Sequence, residues 1–274
     1  MAKIRTFFLL FVPVFFLSPL LCLGMPIPTD KTPEPTGRQK TIFLPATITA
    51  DGETFPTAEA AVRMLSALDV RGFQPEAMKA AAVVCLTEIA AGKIGTLPAP
   101  EECKDAWGDR WFALYRTEAQ EAVEAVWGTV LVDQNGEIYA PQVFPVSWGC
   151  TEAGAECPYD ETAQGYATAV DVTDAYRALF GEKTAEITMT RSGRVETVTS
   201  GRITVTGTEL MRKWGLPSPA FSLEFSDGKV IAACRGQGDG VGMSLYGANE
   251  DAKRGADFET ILRKYYPDAL TVRS

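Results

Sequence analysis

Histidine is absent from the 274-residue chain. Histidine is the commonest general base near neutral pH and the commonest metal ligand in proteins, so its absence excludes a Ser-His-Asp or Cys-His catalytic site. Any catalysis must use carboxylates, lysine, tyrosine, cysteine or backbone dipoles. The cysteine spacings match no zinc pattern, and we therefore predict a protein without a metal or another cofactor.

Positive charge is also scarce. Lysine and arginine total 26 against 35 aspartates and glutamates, which gives a formal net charge of −9. Nucleic-acid binding requires clustered positive charge to neutralise phosphates, so nucleic acid is not an expected partner. Hydrophobic residues make up 46% and charged residues 22% of the chain, which is ordinary for a globular fold.

Residues 1–24 carry the features of an export signal. Lys3 and Arg5 precede a charge-free run from Phe7 to Gly24, a pattern typical of a secretory signal peptide or an uncleaved signal anchor. The run is long enough to span a bilayer, whereas Pro13 and Pro19 disfavour a spanning helix, so both alternatives stay open. We predict an exported protein at the extracytoplasmic face of the membrane, attached to it if the segment is uncleaved.

Export makes disulfide bonds available to the cysteines. Beyond Cys22 in the leader, the cysteines are Cys85, Cys103, Cys150, Cys157 and Cys234. Because their number is odd, at least one thiol is free or bonds another chain. The short spacing between Cys150 and Cys157 would suit a small closed loop, and several simply buried thiols are an equal alternative.

The remaining chain divides into a linker and one domain. Residues 25–40 are rich in proline and polar residues, as in an extended linker, and we predict a folded domain over residues 41–274. The clearest helix is PEAMKAAAVVCLTEIAAG, where Pro75 suits the first position and Gly92 the residue past the end. Hairpins are predicted around Asn135-Gly136 and over residues 221–234. Helices and hairpins interleave without regular alternation, which predicts an α+β fold.

The stretch GQGDGVGMSLYGA, residues 236–248, has glycine at every second position of its first half. It contains neither the G-x-G-x-x-G dinucleotide pattern nor the Gly-Lys-Ser/Thr of a P-loop, so a phosphate cradle is excluded. Alternate glycines remove side chains from one face of an extended segment and allow a close approach to the backbone. Either a neighbouring element of the protein or a ligand such as a sugar chain would occupy that face.

The same stretch resembles the C-terminal signature of the stage II sporulation protein D family, which also includes the N-terminal region of the LytB amidase enhancer. The family pattern is G-x-G-H-G-V-G-M-S-Q-x-G-A, followed by a helix and by I-L-x-x-Y-Y, which matches ILRKYY at residues 261–266. PEAMKAAAVVCLTEIAAG, VSWGCTEAGAE and GTELMRKWGLPSPAF resemble three other family blocks in the same order. The resemblance covers roughly residues 57–268.

The resemblance implies action on peptidoglycan in a groove of the α+β domain. Sporulation members of the family are membrane-anchored lytic transglycosylases that cut stripped glycan strands between MurNAc and GlcNAc, leave a 1,6-anhydroMurNAc end, and act in the space between forespore and mother cell. One carboxyl group suffices, because it protonates the glycosidic oxygen and then takes the proton of the sugar's own C6 hydroxyl. The expected acid/base is Glu76, and Asp69 is second because the upstream E-M-P glutamate of the family is missing. A glutamate in a first helical turn is also favoured by the helix dipole alone.

The resemblance also predicts residues that contact the glycan. They are Ser147, Thr151, Glu152, Tyr166, Asp239, Gly242, Ser244 and Tyr246. Tyr166 and Trp148 are candidates for stacking on sugar rings. Ser, Thr and Glu beside glycine also commonly bond the local backbone, which is the structural alternative for these positions.

Other family positions have lost polar side chains. The family's Gln and Arg in the helix block are Ala81 and Leu86 here, and the His and Gln of the glycine signature are Asp239 and Leu245. These losses favour an alternative function, a catalytically weak or inactive peptidoglycan-binding module. Such a module would assist a cell-wall amidase or other sporulation proteins.

Overall fold

The computed structural model describes residues 42–68, 70–92, 94, 96–97, 108–156 and 166–273. Within these ranges, seven helices and twelve strands in small sheets form the predicted α+β fold. The predicted leader and linker, together with Cys22, Asp69, Cys103 and Cys157, lie outside the described residues. In the part so described, every helix is too short or too polar to cross a membrane.

The helices are α1 (Thr57–Ala67), α2 (Pro75–Ala90), α3 (Asp109–Ala125), α4 (Thr173–Phe180), α5 (Gly207–Trp214), α6 (Leu245–Lys253) and α7 (Phe258–Tyr265). The strands are β1 (Thr47–Ala50), β2 (Glu53–Pro56), β3 (Thr129–Val132), β4 (Val143–Phe144), β5 (Ala167–Asp171), β6 (Glu186–Met189), β7 (Val195–Ser200), β8 (Ile203–Thr206), β9 (Phe221–Ser226), β10 (Lys229–Arg235), β11 (Met243–Ser244) and β12 (Leu270–Arg273).

Helix α2 is the centre of the first hydrophobic core. It packs against α1, α3, α6, α7 and β3, and eleven of its residues are buried. A helix with neighbours on all sides needs small apolar side chains around its whole circumference, which explains its alanine-rich sequence. Its bounds confirm the prediction, because Pro75 is its first residue and Gly92, just beyond its end, has a φ of +66°.

The buried hydroxyl of Thr87 fastens α2 to β3. Thr87 Oγ1 donates to the carbonyl of Val83 at 2.6 Å and accepts from the backbone N–H of Leu131 at 3.0 Å. It therefore satisfies a backbone donor of β3 that is inaccessible to water. Strand β3 in turn pairs antiparallel with β12, which ties the C-terminal strand to the same core.

The hairpin predicted at Asn135-Gly136 forms only in part. The turn is present, since the N–H of Asp133 donates to the carbonyl of Glu137 at 2.8 Å and Gly136 has a φ of +78°. After the turn, however, only Ile138 bridges back to β3. The distant β12 supplies the ladder along β3 instead.

A second hydrophobic core joins α4 and α5 to two three-stranded sheets, ordered β5-β10-β9 and β6-β7-β8. The predicted hairpin over residues 221–234 is confirmed as β9 and β10, joined by a turn in which Asp227 and Gly228 both have positive φ. Strand β10 belongs to this core through Cys234, and the next elements, β11 and α6, belong to the first core through Met243 and Leu245. The glycine-rich stretch is therefore one connection between the two cores.

Replacing Thr87 by valine should destabilise the protein by about 1–3 kcal/mol, because the N–H of Leu131 would be left buried without an acceptor. The free energy of unfolding in urea would measure the loss. Thr87→Ser keeps the hydroxyl and removes one methyl group, so about 1 kcal/mol is expected for that control. A valine variant as stable as the parent protein would contradict the role assigned to the hydroxyl.

Candidate functional site

The loop of residues 236–242, called the glycine loop below, runs from β10 to β11. Its glycines at 236, 238, 240 and 242 have φ values of +74°, +96°, +84° and +84°. The alternating glycines predicted an extended segment, and that prediction is wrong, because each glycine takes a backbone conformation that other residues rarely adopt. The sequence alternates because a positive φ recurs at every second residue of the loop.

The glycine loop packs directly on residues 142–148. A Cβ atom at Gly242 would lie 1.9 Å from the carbonyl oxygen of Gln142, and one at Gly236 would lie 2.8 Å from that of Val146. The contact is backbone to backbone, since Val146 and Gln237 exchange both hydrogen bonds of an antiparallel bridge and β11 pairs parallel with β4. Of the two occupants predicted for the glycine face, the protein's own chain is the one found here.

Tyr266 fixes the end of this contact. Its hydroxyl donates to the carbonyl of Gln142 and accepts from the backbone N–H of Met243 at 3.3 Å. Burial raises the pKa of the Tyr266 hydroxyl far above its usual value, so it stays protonated and able to donate. The Y-Y pair of the family signature thus holds the two strands in register through its second tyrosine.

Arg194 lies beneath the glycine loop and is 3% exposed. Its Nη1 donates to the carbonyl of Cys150 at 2.7 Å, and its Nη2 donates to Ser147 Oγ at 3.1 Å. The charge is compensated by Glu152, whose Oε1 is 3.7 Å from Nη1. A Cβ atom at Gly240 would lie only 2.0 Å from Arg194 Nε, so the guanidinium occupies the space that glycine leaves.

Glu152 joins a third segment to the same place. Its Oε1 accepts from Ser192 Oγ at 2.6 Å and from Thr190 Oγ1 at 3.2 Å, while its backbone N–H donates to the carbonyl of Gly240 at 2.9 Å. The turn before β7, residues 190–194, is thereby bound to the glycine loop. Sequence analysis missed this turn and Arg194, because neither composition nor spacing marks a contact between such distant segments.

The hydroxyl groups of the two predicted serines form hydrogen bonds with backbone groups. Ser244 Oγ caps α6 by accepting from the N–H of Gly247 at 3.2 Å, and it also accepts from the N–H of Ser147 at 3.3 Å. Ser147 Oγ donates to the carbonyl of Cys150 at 2.9 Å. Thr151 is fully buried, and its Oγ1 has no hydrogen-bond partner among the described residues. Both serines therefore serve the turn and cap chemistry that was their structural alternative.

Three half-buried aromatic rings lie between α6 and the start of α2. Tyr246 in the first turn of α6 meets Phe73 edge-to-face at a centroid distance of 5.1 Å and Tyr166 at 5.9 Å. The hydroxyl of Tyr166 donates to that of Tyr246 at 3.4 Å. Next to this aromatic cluster, the N–H of Gln74 donates to Asn249 Oδ1 at 2.8 Å, which fixes the start of α2 against α6.

The carboxylate of Glu76, in the first turn of α2, accepts hydrogen bonds from α2 and from the start of α7. Its Oε1 accepts from Lys79 Nζ at 2.7 Å, and its Oε2 accepts from the backbone N–H of Phe258 at 3.0 Å. The side chain is 33% exposed. Asp239 is half-buried in the glycine loop, where its Oδ1 accepts from the N–H of Val241 at 3.0 Å. The bonds described for Glu76 thus lead to α2 and α7, whereas those of Asp239 stay inside the loop.

The structure brings the eight predicted contact residues together around the glycine loop. Ser147, Thr151, Glu152, Asp239, Gly242, Ser244 and Tyr246 lie in the loop or in the elements bonded to it, and Tyr166 joins them through Tyr246. Trp148 is the last residue of the segment 142–148, and the guanidinium of Arg235 lies 5.5 Å from its ring centroid. Glycan contacts by these residues, and acid/base catalysis by Glu76, stay predictions.

Cys85, Cys150 and Cys234 carry free thiols. Burial raises the pKa of the Cys234 thiol to about 11 and also raises the pKa of Cys85. These two side chains are therefore protonated near neutral pH and act as small buried hydrophobic groups. For them, the alternative of simply buried thiols is confirmed.

Comparison with protein-family models finds no match for the chain. Among curated proteins, it is similar to stage II sporulation protein D of Bacillus subtilis (strain 168), with 26% identity over 253 residues that cover 78% of this chain and 74% of that protein. It is also similar to stage II sporulation protein D of Bacillus amyloliquefaciens, with 25% identity over 277 residues that cover 86% and 80% of the two chains. Both relatives carry the name that the glycine signature predicted.

Replacing Gly242 by alanine should be far more damaging than replacing Gly255. Both glycines have positive φ, so each alanine costs about 1–2 kcal/mol of backbone strain. Only at Gly242 would the new Cβ also overlap a backbone oxygen, since Gly255 has nothing within 4 Å. We expect Gly255→Ala to unfold in urea slightly earlier than the parent, and Gly242→Ala to lose about 3 kcal/mol or more. Equal losses would contradict the packing of the loop on residues 142–148.

Proposed function

Since the chain is a divergent relative of stage II sporulation protein D, we propose that it is an exported sporulation protein that binds the glycan strands of peptidoglycan. The observation that carries the proposal is the aromatic cluster of Phe73, Tyr166 and Tyr246, held half-exposed beside the glycine loop. Aromatic rings with one polar end suit sugars, because the ring face packs on the C–H face of the sugar while the hydroxyl bonds its oxygens.

The rigidity of the surroundings supports this proposal. Tyr246 is the second residue after the cap residue Ser244, and its backbone N–H donates to the carbonyl of Pro145 at 3.1 Å. Its ring position is therefore set by the same contact that holds the glycine loop on residues 142–148. A binding surface that is fixed before the ligand arrives avoids the entropy cost of ordering it.

Binding is favoured over cleavage by the state of the carboxylates beside the glycine loop. Glu152 accepts hydrogen bonds from two hydroxyl groups and lies near Arg194, and Asp239 accepts one from its own loop. A general acid needs a free path to the glycosidic oxygen in order to deliver its proton. The hydrogen bonds of Glu152 and Asp239 stabilise the fold instead. As a binding module, the chain would assist a cell-wall amidase or other sporulation proteins at the extracytoplasmic face of the membrane.

Cleavage by a lytic transglycosylase mechanism is the second candidate, with Glu76 as acid/base. One observation favours it, the exposure of one third of this side chain at the start of α2, three residues after Phe73 of the aromatic cluster. To act, Glu76 would have to exchange its bonds with Lys79 and the N–H of Phe258 for contacts with the glycan. A single carboxyl group is sufficient for this chemistry, since the sugar supplies the attacking hydroxyl.

The two functions are separated by incubating the full chain, purified in detergent, with peptide-stripped glycan strands. We expect the strands to be retained in a pull-down without 1,6-anhydro ends in the mass spectrum. Tyr246→Ala should weaken retention about tenfold, because a central aromatic contact is lost. Phe225→Ala is the matched control, since Phe225 is a half-exposed aromatic residue on β9, outside the cluster, and should leave retention unchanged.

Glu76→Gln is tested in the same assay. Anhydro-ended products from the parent chain and none from Glu76→Gln would replace the binding proposal by the second candidate. Equal retention by the parent and by Tyr246→Ala would contradict the role of the aromatic cluster. Absence of both retention and products would contradict both functions.

A further inference from the structure

A separate cavity of about 540 Å³ lies between α1 and α3. Its apolar lining includes Val62 and Val123, and its polar lining includes Glu59, Arg116 and Gln120. Trp127, just beyond the end of α3, completes the wall. All of its lining residues lie between positions 56 and 127, so the cavity shares no residue with the glycine loop. Its volume falls in the range of about 300–1,000 Å³ that is usual for small-molecule sites.

Trp127 gives this cavity an exposed aromatic wall. The side chain is 39% exposed, although the valines behind it are almost completely buried. A large aromatic ring that is left open beside an apolar floor loses the hydrophobic stabilisation that full burial would give. Such a ring suits a ligand with a flat apolar face.

The polar side chains at the edge of the cavity bond one another and a neighbouring arginine. Glu59 accepts from Arg116 Nη2 at 2.7 Å and from Arg63 Nε at 3.1 Å. Gln120 Nε2 donates to Glu124 Oε1 at 2.8 Å. These pairs orient planar polar groups at the cavity edge, and the carboxylates of Glu59 and Glu124 are balanced in charge by Arg116 and the neighbouring Arg63. A phosphate or another multiply charged ligand would find no opposite charge in excess, whereas a neutral polar ligand would find fixed donors and acceptors.

We propose that this cavity is an accessory saccharide site that takes one or two neutral N-acetylhexosamine rings. Trp127 stacks on the C–H face of a sugar ring, and Arg116 and Gln120 bond its hydroxyl or acetamido oxygens. The inference rests on the proposed binding of glycan strands and adds a second contact with the same polymer. Two weak sites on one chain raise the retention of a long strand, because the second contact forms at high effective concentration.

The test uses the full chain in detergent with ¹⁵N-labelled tryptophan, which gives five indole signals. The Trp127 signal is the one missing from the Trp127→Phe variant. Titration with the β-1,4-linked tetramer of N-acetylglucosamine should move this signal in a saturable way. The signal of Trp214, which packs in the second core, should stay in place.

Gln120→Ala is the second variant, because it places a strong helix former at an exposed position of α3 and keeps the fold. It should weaken the response of the Trp127 signal, and an unchanged response would argue against the polar contacts proposed here. A tetramer that binds in a Tyr246-dependent manner while the Trp127 signal is unmoved would overturn the accessory site and leave the proposed function standing. A moving Trp127 signal together with binding that is insensitive to Tyr246→Ala would support the accessory site and overturn the role of the aromatic cluster. No binding in any form of the assay would overturn both.

Discussion

The packing of the glycine loop on residues 142–148 is the contact on which the rest of the site depends. The loop connects β10 in the second core to β11 and α6 in the first, so its path also joins the two cores. Backbone meets backbone along this contact, and a side chain at Gly236 or Gly242 would overlap a carbonyl oxygen. The glycines are therefore required by the fold itself, before any ligand is considered.

The close approach of the glycine loop allows the charged side chain of Arg194 to be buried. A guanidinium that is 3% exposed is costly unless its charge is paired and its donors are used. The carboxylate of Glu152 balances the charge of Arg194. Ser147 and the carbonyl of Cys150 accept hydrogen bonds from the guanidinium. The absence of a side chain at Gly240 leaves space for the guanidinium. Three segments that are far apart in the sequence are thereby fixed to one another, and each would lose its partner if the loop moved.

The sequence predicted the local features of the fold well and the long-range contacts poorly. Pro75 and Gly92 mark the bounds of α2 because helix ends obey local rules of backbone geometry. The partner of β3 was missed because β12 comes from the far end of the described chain, and no local pattern encodes a pairing over that distance. Likewise, the alternation of glycines predicted a close approach, which is present, but not the positive φ of each glycine. The bond from Phe258 to Glu76 spans 182 residues and had no signal in either segment.

The same contacts restrict how the site can recognise a ligand. The hydroxyl groups of Ser147 and Ser244 form hydrogen bonds with backbone groups. The carboxylate of Glu152 lies near Arg194 and accepts hydrogen bonds from two hydroxyl groups of the turn before β7. Hydrogen bonds that already stabilise the fold cannot be given to a sugar without an equivalent loss. Recognition of a glycan, as proposed here, must then depend on groups that the fold leaves open, which are the half-exposed aromatic rings. Rings on a rigid frame contribute contact area at low entropy cost, and this favours binding of a repeating polymer over the tight fit of a single sugar.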